Sequence, residues 1–437
     1  MAIELVNSFV LKPSPLTQQN PHTNANIPLT IFDRVAFDLH VNTVYAYRAP
    51  MPSNEAIIEG LARALNIYPH LAGRLAGDGH GRLCIVLNGA GVRLVEARVG
   101  ATLDESLPLE PSHELTHLHP PTDGHVAELL QIQLNRYTCG GVVIGHTAHH
   151  RVADGQSISC FLSSWARLVR GLDVEVLPNH DRGAVTIPRN PPTCEFNHRV
   201  IEFKEPSAGP VASKAVMAPG ASIVNLVVHY SAEFVARLKK HVCGGGSGSS
   251  RYSTFECLLT HVWRKMTLAR KLGEDEFTRV RIAVNGRARI KPAVPAEFYG
   301  NMVLWAHPKL QAKEVVSESH SYVAKTIHDA VARVDDAYFR SFIDFGEVAK
   351  GERLTPSAAV QGNLLCPDME VDSWLRFELH ELDFGGGGPC AFLPSELPVE
   401  GLTLFVPSHK EKGSVDVFVA LSEDHVHSFK QIAYTLD

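Results

Sequence analysis

The sequence predicts a mixed α/β fold made of two similar-sized, mixed-sheet domains. Three observations carry that expectation: a length of 437 residues, helical and strand-like periodicities that alternate through both halves, and one long aperiodic stretch near mid-chain. Domains usually span about 100–200 residues, so a chain of this length is expected to divide. Residues 205–221, opening Glu205-Pro206-Ser207-Ala208-Gly209-Pro210, are rich in Pro, Ala and Gly and show no period. They are read as the crossover linker, with an N-terminal domain at 1–204 and a C-terminal domain at 222–437. The tract 244–250, GGGSGSS, reads as a flexible surface loop.

The elements follow in order. Pro52-Ser53-Asn54-Glu55 opens a helix with Ile57, Ile58, Leu61 and Leu65 on one face. Gly141-Val142-Val143-Ile144-Gly145 is a short apolar run that reads as a buried strand. Asp154 to Leu168 carries Ile158, Phe161, Leu162, Trp165 and Leu168 at helical spacing. Past the linker, Ser253 and Glu256 form a capping box before Leu258, Leu259, Val262, Trp263 and Met266. Arg281-Ile282-Ala283-Val284 is a strand, and Val415, Val417, Val419 and Leu421 alternate as another.

Composition narrows the function classes. Hydrophobic residues make up 45%, charged residues 20%, and the formal net charge is −6. This is an ordinary globular balance, which excludes wholesale disorder, collagen and coiled coil. It gives no basic footprint for nucleic acid and no polybasic membrane patch. No apolar run reaches the roughly 18–20 residues of a membrane span, and Met1 to Val6 lacks a signal-peptide pattern. The eight cysteines are scattered without C-x-x-C, which suits free thiols in a reducing cytoplasm. Nothing demands an oligomer, so a monomer is expected.

The sharpest local feature is His149-His150-Arg151-Val152-Ala153-Asp154-Gly155, where an apolar strand gives way to an amphipathic helix. At such a junction an ionisable side chain can face a cleft. His150 has the ordinary pKa of a general base, about 6.5. Asp154 can cap the helix or pair with a cation; Gly155 allows a tight turn. The bland alternative is a core histidine beside a helix cap. A metal is not expected: His146, His150 and Asp154 are spaced i, i+4, i+8, but the run before His149 is strand-like, and no H-E-x-x-H is present. Two further features are Asp383-Phe384-Gly385-Gly386-Gly387-Gly388 and the turn Asn285-Gly286-Arg287-Ala288-Arg289. The turn's bland alternative is a surface bend with two solvated arginines.

Together these residues resemble the BAHD acyltransferases, plant enzymes that use acyl-CoA donors, over essentially the whole chain. His150-x-x-x-Asp154-Gly155 is similar to the family's catalytic H-x-x-x-D-G. Asp383-Phe384-Gly385-Gly386-Gly387 is similar to its D-F-G-W-G with glycine for tryptophan. Tyr68-Pro69-His70-Leu71-Ala72-Gly73-Arg74-Leu75 resembles Y-P-L-A-G-R-L with His70 inserted, and Asn285 to Arg289 resembles its strand-end motif. The resemblance implies chloramphenicol-acetyltransferase-like topology in both domains and a solvent tunnel between them. In that tunnel His150 is the base and Asp154 its motif partner, turned towards Arg287. It implies a structural role for Arg287, Asp383, Gly385 and Gly387, and acyl-CoA as co-substrate with no metal or other cofactor.

A finer likeness is to grass enzymes that acylate agmatine, tryptamine and related amines, carried by Glu370-Val371-Asp372-Ser373-Trp374-Leu375-Arg376 together with D-F-G-G-G. In the shikimate- and quinate-acylating branch the position of Asp372 is usually Thr, and an arginine for the acceptor carboxylate stands near what is Ala359 here. A carboxylate gained and a cation lost favour a cationic acceptor. Asp372, Trp374 and His40 are therefore the expected substrate-binding residues. The bland alternative is that Asp368, Glu370 and Asp372 form a solvated acidic loop. The implied activity is transfer of a hydroxycinnamoyl or benzoyl group from CoA to an amine such as agmatine, tryptamine, tyramine or putrescine. O-acylation of an alcohol and a non-catalytic, partner-binding role are the alternatives.

Overall fold

The computed structural model describes residues 2–14, 25–121, 126–204, 222–244, 251–357 and 364–436. The linker 205–221, most of the glycine-serine tract (245–250) and Ala359 lie outside the described residues. Two large mixed sheets form the frame. The first is six-stranded, in the order Ile3–Leu11, Val92–Val99, Leu130–Tyr137, Val142–His149, His40–Tyr47, Ala391–Pro394. The second is seven-stranded. Its path runs Val303–Ala306, Phe277–Asn285, Met369–Ser373, Leu402–Pro407, Val415–Ser422, Ile223–Tyr230, and Lys309–Gln311 pairs with Phe277–Asn285 off that path.

The expected elements are present, several of them longer than the apolar runs that announce them. The strand Val142–His149 is buried at all eight positions, so it extends through His146, Thr147 and His149, polar residues that hide a strand from a hydrophobicity reading. Helix Asn54–Ile67 is capped by Ser53, whose Oγ accepts from Ala56 N–H at 3.3 Å. Helix Thr254–Ala269 opens on the expected Ser253/Glu256 capping box. Such caps satisfy orphan N–H groups and are each worth about 1 kcal/mol.

The two halves are interlocked. Ala391–Pro394 belongs to the second half by sequence, yet pairs with His40–Tyr47 and completes the first sheet. Conversely, Ile31, Phe32 and Val35 from the first half are part of the second half's apolar core. Phe32 packs its ring 5.3 Å from Phe342 and 5.9 Å from Phe339. Burying such side chains is worth about 1.5–3 kcal/mol each. This exchange fixes the spacing of the halves, so a cavity between them has walls of set position.

Candidate active site

That cavity is about 1000 Å³ and is lined from both halves. His150 faces it from the turn that follows Val142–His149. The turn is held on both sides: His150 N–H donates to Leu39 O at 2.9 Å, and His150 O accepts from Asn301 Nδ2 at 2.9 Å. Phe37 packs edge-on against the imidazole, ring centroids 5.5 Å apart. Burial lowers the His150 pKa, against the opposing pull of its own backbone hydrogen bond, Asp154 and the Asn301 side chain. The ring is therefore neutral at neutral pH, the form a base requires.

Asp154 caps helix Gly155–Val169, with Oδ1 accepting from Ser157 N–H at 2.9 Å. Arg287 grips the same carboxylate through two bonds, Nη1 to Oδ2 at 2.8 Å and Nη2 to Oδ1 at 3.0 Å. Met302 N–H donates to Oδ2 at 3.0 Å. Burial pushes the Asp154 carboxyl up, but Arg287 and these donors outweigh it and hold the pKa below the usual carboxylate value. Arg287 is itself buried, so the turn 285–289 is not a solvated surface bend. Gly155 is the first residue of the helix and has no left-handed φ, so it serves by leaving space and not by the tight turn expected of it: a Cβ there would lie 2.9 Å from the Phe377 ring.

A second polar chain reaches the same turn. Arg182 pairs with Asp33 at 2.9 Å, both buried. Asp33 Oδ1 accepts from Asn301 Nδ2 at 3.0 Å, and Arg182 Nη2 donates to Val152 O at 2.5 Å. Sequence reasoning missed Asp33, Arg182 and Asn301. The Thr30/Asp33 capping box was readable, but no pattern links those three positions, which lie far apart in the chain.

Glu370 and Asp372 stand two apart on strand Met369–Ser373, and both line the same cavity. They are not a solvated loop, although Asp368 lies just outside the strand, accepting from Arg279 N–H at 2.9 Å. Burial first, then the Glu370 charge, push Asp372 up to about 7 against the pull of Arg281; burial also raises Glu370. Glu370 is the second carboxylate of this wall, and its alternation with Asp372 was the signal for it. Trp374 lines the same wall, its ring 5.6 Å from Phe392. His40 lines the cavity from the first sheet, with Nε2 2.8 Å from Glu128 O and its ring edge-on to His149 at 4.9 Å.

The glycine-rich motif stands apart from the cavity wall. Asp383 Oδ1 accepts from Gly385 N–H at 2.7 Å and Gly387 N–H at 2.8 Å, and Arg170 approaches Oδ2 at 3.6 Å. Gly385 and Gly387 have φ of 115° and 95°, values that side chains rarely tolerate. Phe384 anchors the loop on Trp165, centroids 4.8 Å apart. Among the described residues, no group of three or more His, Cys, Asp or Glu is placed to hold a metal ion. His146 Nδ1 instead meets Thr43 Oγ1 at 3.3 Å. Among them, too, no helix is long and apolar enough to cross a membrane.

Known proteins share this architecture. Vinorine synthase superposes with a TM-score of 0.74 at 21% identity, covering 98% of this chain and 96% of that one. F. graminearum TRI101 complexed with coenzyme A and deoxynivalenol superposes with a TM-score of 0.68 at 16% identity, covering 93% and 97%. In sequence, the chain is 47% identical to tryptamine hydroxycinnamoyltransferase 2 of Oryza sativa subsp. japonica, over the full length of both. It is 43% identical to agmatine hydroxycinnamoyltransferase 1 of the same plant, covering 95% of this chain and 94% of the relative. The model of the Transferase family matches residues 1–436, and the chain belongs to that family, the BAHD acyltransferases.

Proposed function

We propose that this acyltransferase moves a hydroxycinnamoyl or benzoyl group from CoA to a small amine such as agmatine, tryptamine, tyramine or putrescine, with His150 as general base. The observation that carries the reading is one cavity lined by both a neutral imidazole, His150, and two carboxylates, Glu370 and Asp372. The relatives named for tryptamine and agmatine support it, as do the tryptamine benzoyltransferases of the same plant at 46% identity.

The acceptor enters as its free base after releasing a proton to solvent. Its nitrogen attacks the thioester carbonyl, and His150 takes a proton from nitrogen as the C–N bond forms. The tetrahedral oxyanion collapses, the C–S bond breaks, and the imidazolium returns its proton to the departing thiolate. The products are an amide and free CoA. Asp154 is a positioning residue: its carboxylate is committed to Arg287, Ser157 and Met302, and it sets the strand-to-helix turn from which His150 projects. Asp372, with Trp374 and His40, receives the acceptor. Residues 1–204 and 222–437 act as two domains, and both contribute residues to the cavity. The enzyme works as a monomer in the cytoplasm, a compartment that suits eight cysteines none of which is in a disulfide.

The test is a matrix of acyl-CoA donors against agmatine, tryptamine, tyramine, putrescine and shikimate, run with wild type and His150→Ala. Amide formation is expected, with turnover lower by about 10²–10⁴-fold in the variant. Ester formation on shikimate in preference to any amine overturns the acceptor class. Near-normal turnover by His150→Ala overturns the base.

A further inference from the structure

Behind the acidic wall stands a cation, Arg281, which touches the wall residues Glu370 and Trp305 without itself lining the cavity. Arg281 stands opposite Glu370 in the parallel register of Phe277–Asn285 with Met369–Ser373, so both side chains rise from one face of the sheet. Its Nη1 lies 3.5 Å from Glu370 Oε2. The guanidinium stacks over Trp305 at 3.9 Å from the ring centre, with the Phe37 ring at 5.9 Å. Its Nε and Nη2 are buried and meet no acceptor among the described residues. Two aromatic faces and one carboxylate therefore hold Arg281, rather than a full set of hydrogen bonds. Asp372 follows two residues along the strand on the same face, and the Phe37 ring that flanks Arg281 also touches the His150 imidazole. The other charged residues that line the cavity cancel in number, Glu256 and Glu396 against Arg289 and Arg376, and Asp154 against Arg287. Burial, then Arg281 and Arg279, push His307 down to about 3, so it stays neutral; Arg279 is exposed to solvent.

We infer that Arg281 is a specificity-determining residue: a built-in cation that cancels one of the two carboxylate charges and tunes the wall to an amine whose tail carries one positive charge. The inference rests on the acceptor reading above. Two carboxylates and one guanidinium leave a single negative charge when both acids are ionised. A tail with one cation matches it. A tail with two feels Arg281 behind Glu370 as a like charge, and a tail with none leaves a carboxylate desolvated without a partner. Asp372 at about 7 is poised to ionise when such a cation arrives.

The experiment assays wild type, Arg281→Gln, Arg281→Lys and Glu370→Gln with one hydroxycinnamoyl-CoA, at a pH of about 8.5 so that the acids are ionised. The acceptors are tryptamine, agmatine and spermidine, whose tails carry no, one and two charges. Wild type is expected to favour agmatine. Arg281→Gln is expected to raise the spermidine-to-agmatine ratio of kcat/KM by about tenfold or more, while Arg281→Lys keeps the wild-type ratio within about twofold. Glu370→Gln is expected to move preference the other way, towards tryptamine, so the sign of the effect is tested even if Arg281→Gln fails to fold. A wild type that favours tryptamine over agmatine overturns the inference. So does an unchanged ratio in Arg281→Gln, or a shift in Arg281→Lys as large as in Arg281→Gln. No acylation of any amine by wild type would instead remove the acceptor reading itself.

Discussion

Replacing Arg287 by methionine strips Asp154 of its buried partner and tests how the catalytic turn is held. Asp154 loses two charge-assisted bonds, at 2.8 and 3.0 Å, and keeps only the Ser157 and Met302 amides. Such bonds are worth about 1.5–3 kcal/mol each, and breaking a buried ion pair from one side costs about 3–5 kcal/mol. At about 2–4 °C per kcal/mol for a domain of this size, Tm should fall by about 6–20 °C. The pH dependence carries the sharper sign. In wild type the Asp154 pKa is depressed, so its stabilisation is present above the unfolded value of about 3.9 and is lost only as pH falls below that. In Arg287→Met, burial acts with no guanidinium to oppose it, so the carboxyl pKa rises above the unfolded value. The variant should then gain stability relative to wild type as pH drops from 7 towards 5. Adding Asp154→Asn should recover more than half of the lost Tm, because the uncompensated charge is gone. Calorimetric melting across pH 5–8 reads all three. A loss below about 1 kcal/mol, or a variant whose Tm deficit is constant with pH, would refute the account of Asp154 as a charge held by Arg287.

Three further outcomes are expected. Because Asp372 ionises at about 7, the agmatine-to-tryptamine ratio of kcat/KM should climb between pH 6 and 8 and be flat in Asp372→Asn; a climb that survives in the variant assigns it to another group. Asn301→Ala removes a donor to His150 O and a side chain that raises the His150 pKa. It should lower kcat by about tenfold or more with little change in KM, and move the acid limb of the kcat profile to lower pH. A stationary limb with a raised KM would make Asn301 a substrate contact instead. At Gly386 a Cβ would lie 2.2 Å from Pro50 O, so Gly386→Ala should lower stability by about 1–3 kcal/mol. Its kcat/KM should stay intact below the melting transition, since the loop does not line the cavity; lost activity at unchanged Tm would place the loop in the chemistry.

Much of the fold was legible because its signals are local. The helix over Gly155–Val169 shows its apolar stripe and its Asp154 cap within one window, and the Ser253/Glu256 box marks the next helix start in four residues. The strand ending at His149 was underestimated, because polar residues buried at a domain seam look like the end of a strand. The crossing of Ala391–Pro394 into the first sheet left no local mark, since pairing partners hundreds of residues apart are selected by register and not by composition.

The sequence by itself determined the α/β class, the His150-x-x-x-Asp154-Gly155 junction and the presence of a carboxylate at 372, because periodicity, capping and residue chemistry are properties of short segments. The resemblance already implied that Asp154 turns to Arg287; only the tertiary structure decided that two guanidinium nitrogens grip that carboxylate, that Asn301 braces the His150 carbonyl, and that Arg281 stands beside Glu370. Each of these joins residues from separate elements, and an ion pair or hydrogen bond a few ångströms long exists only once packing has brought those elements together.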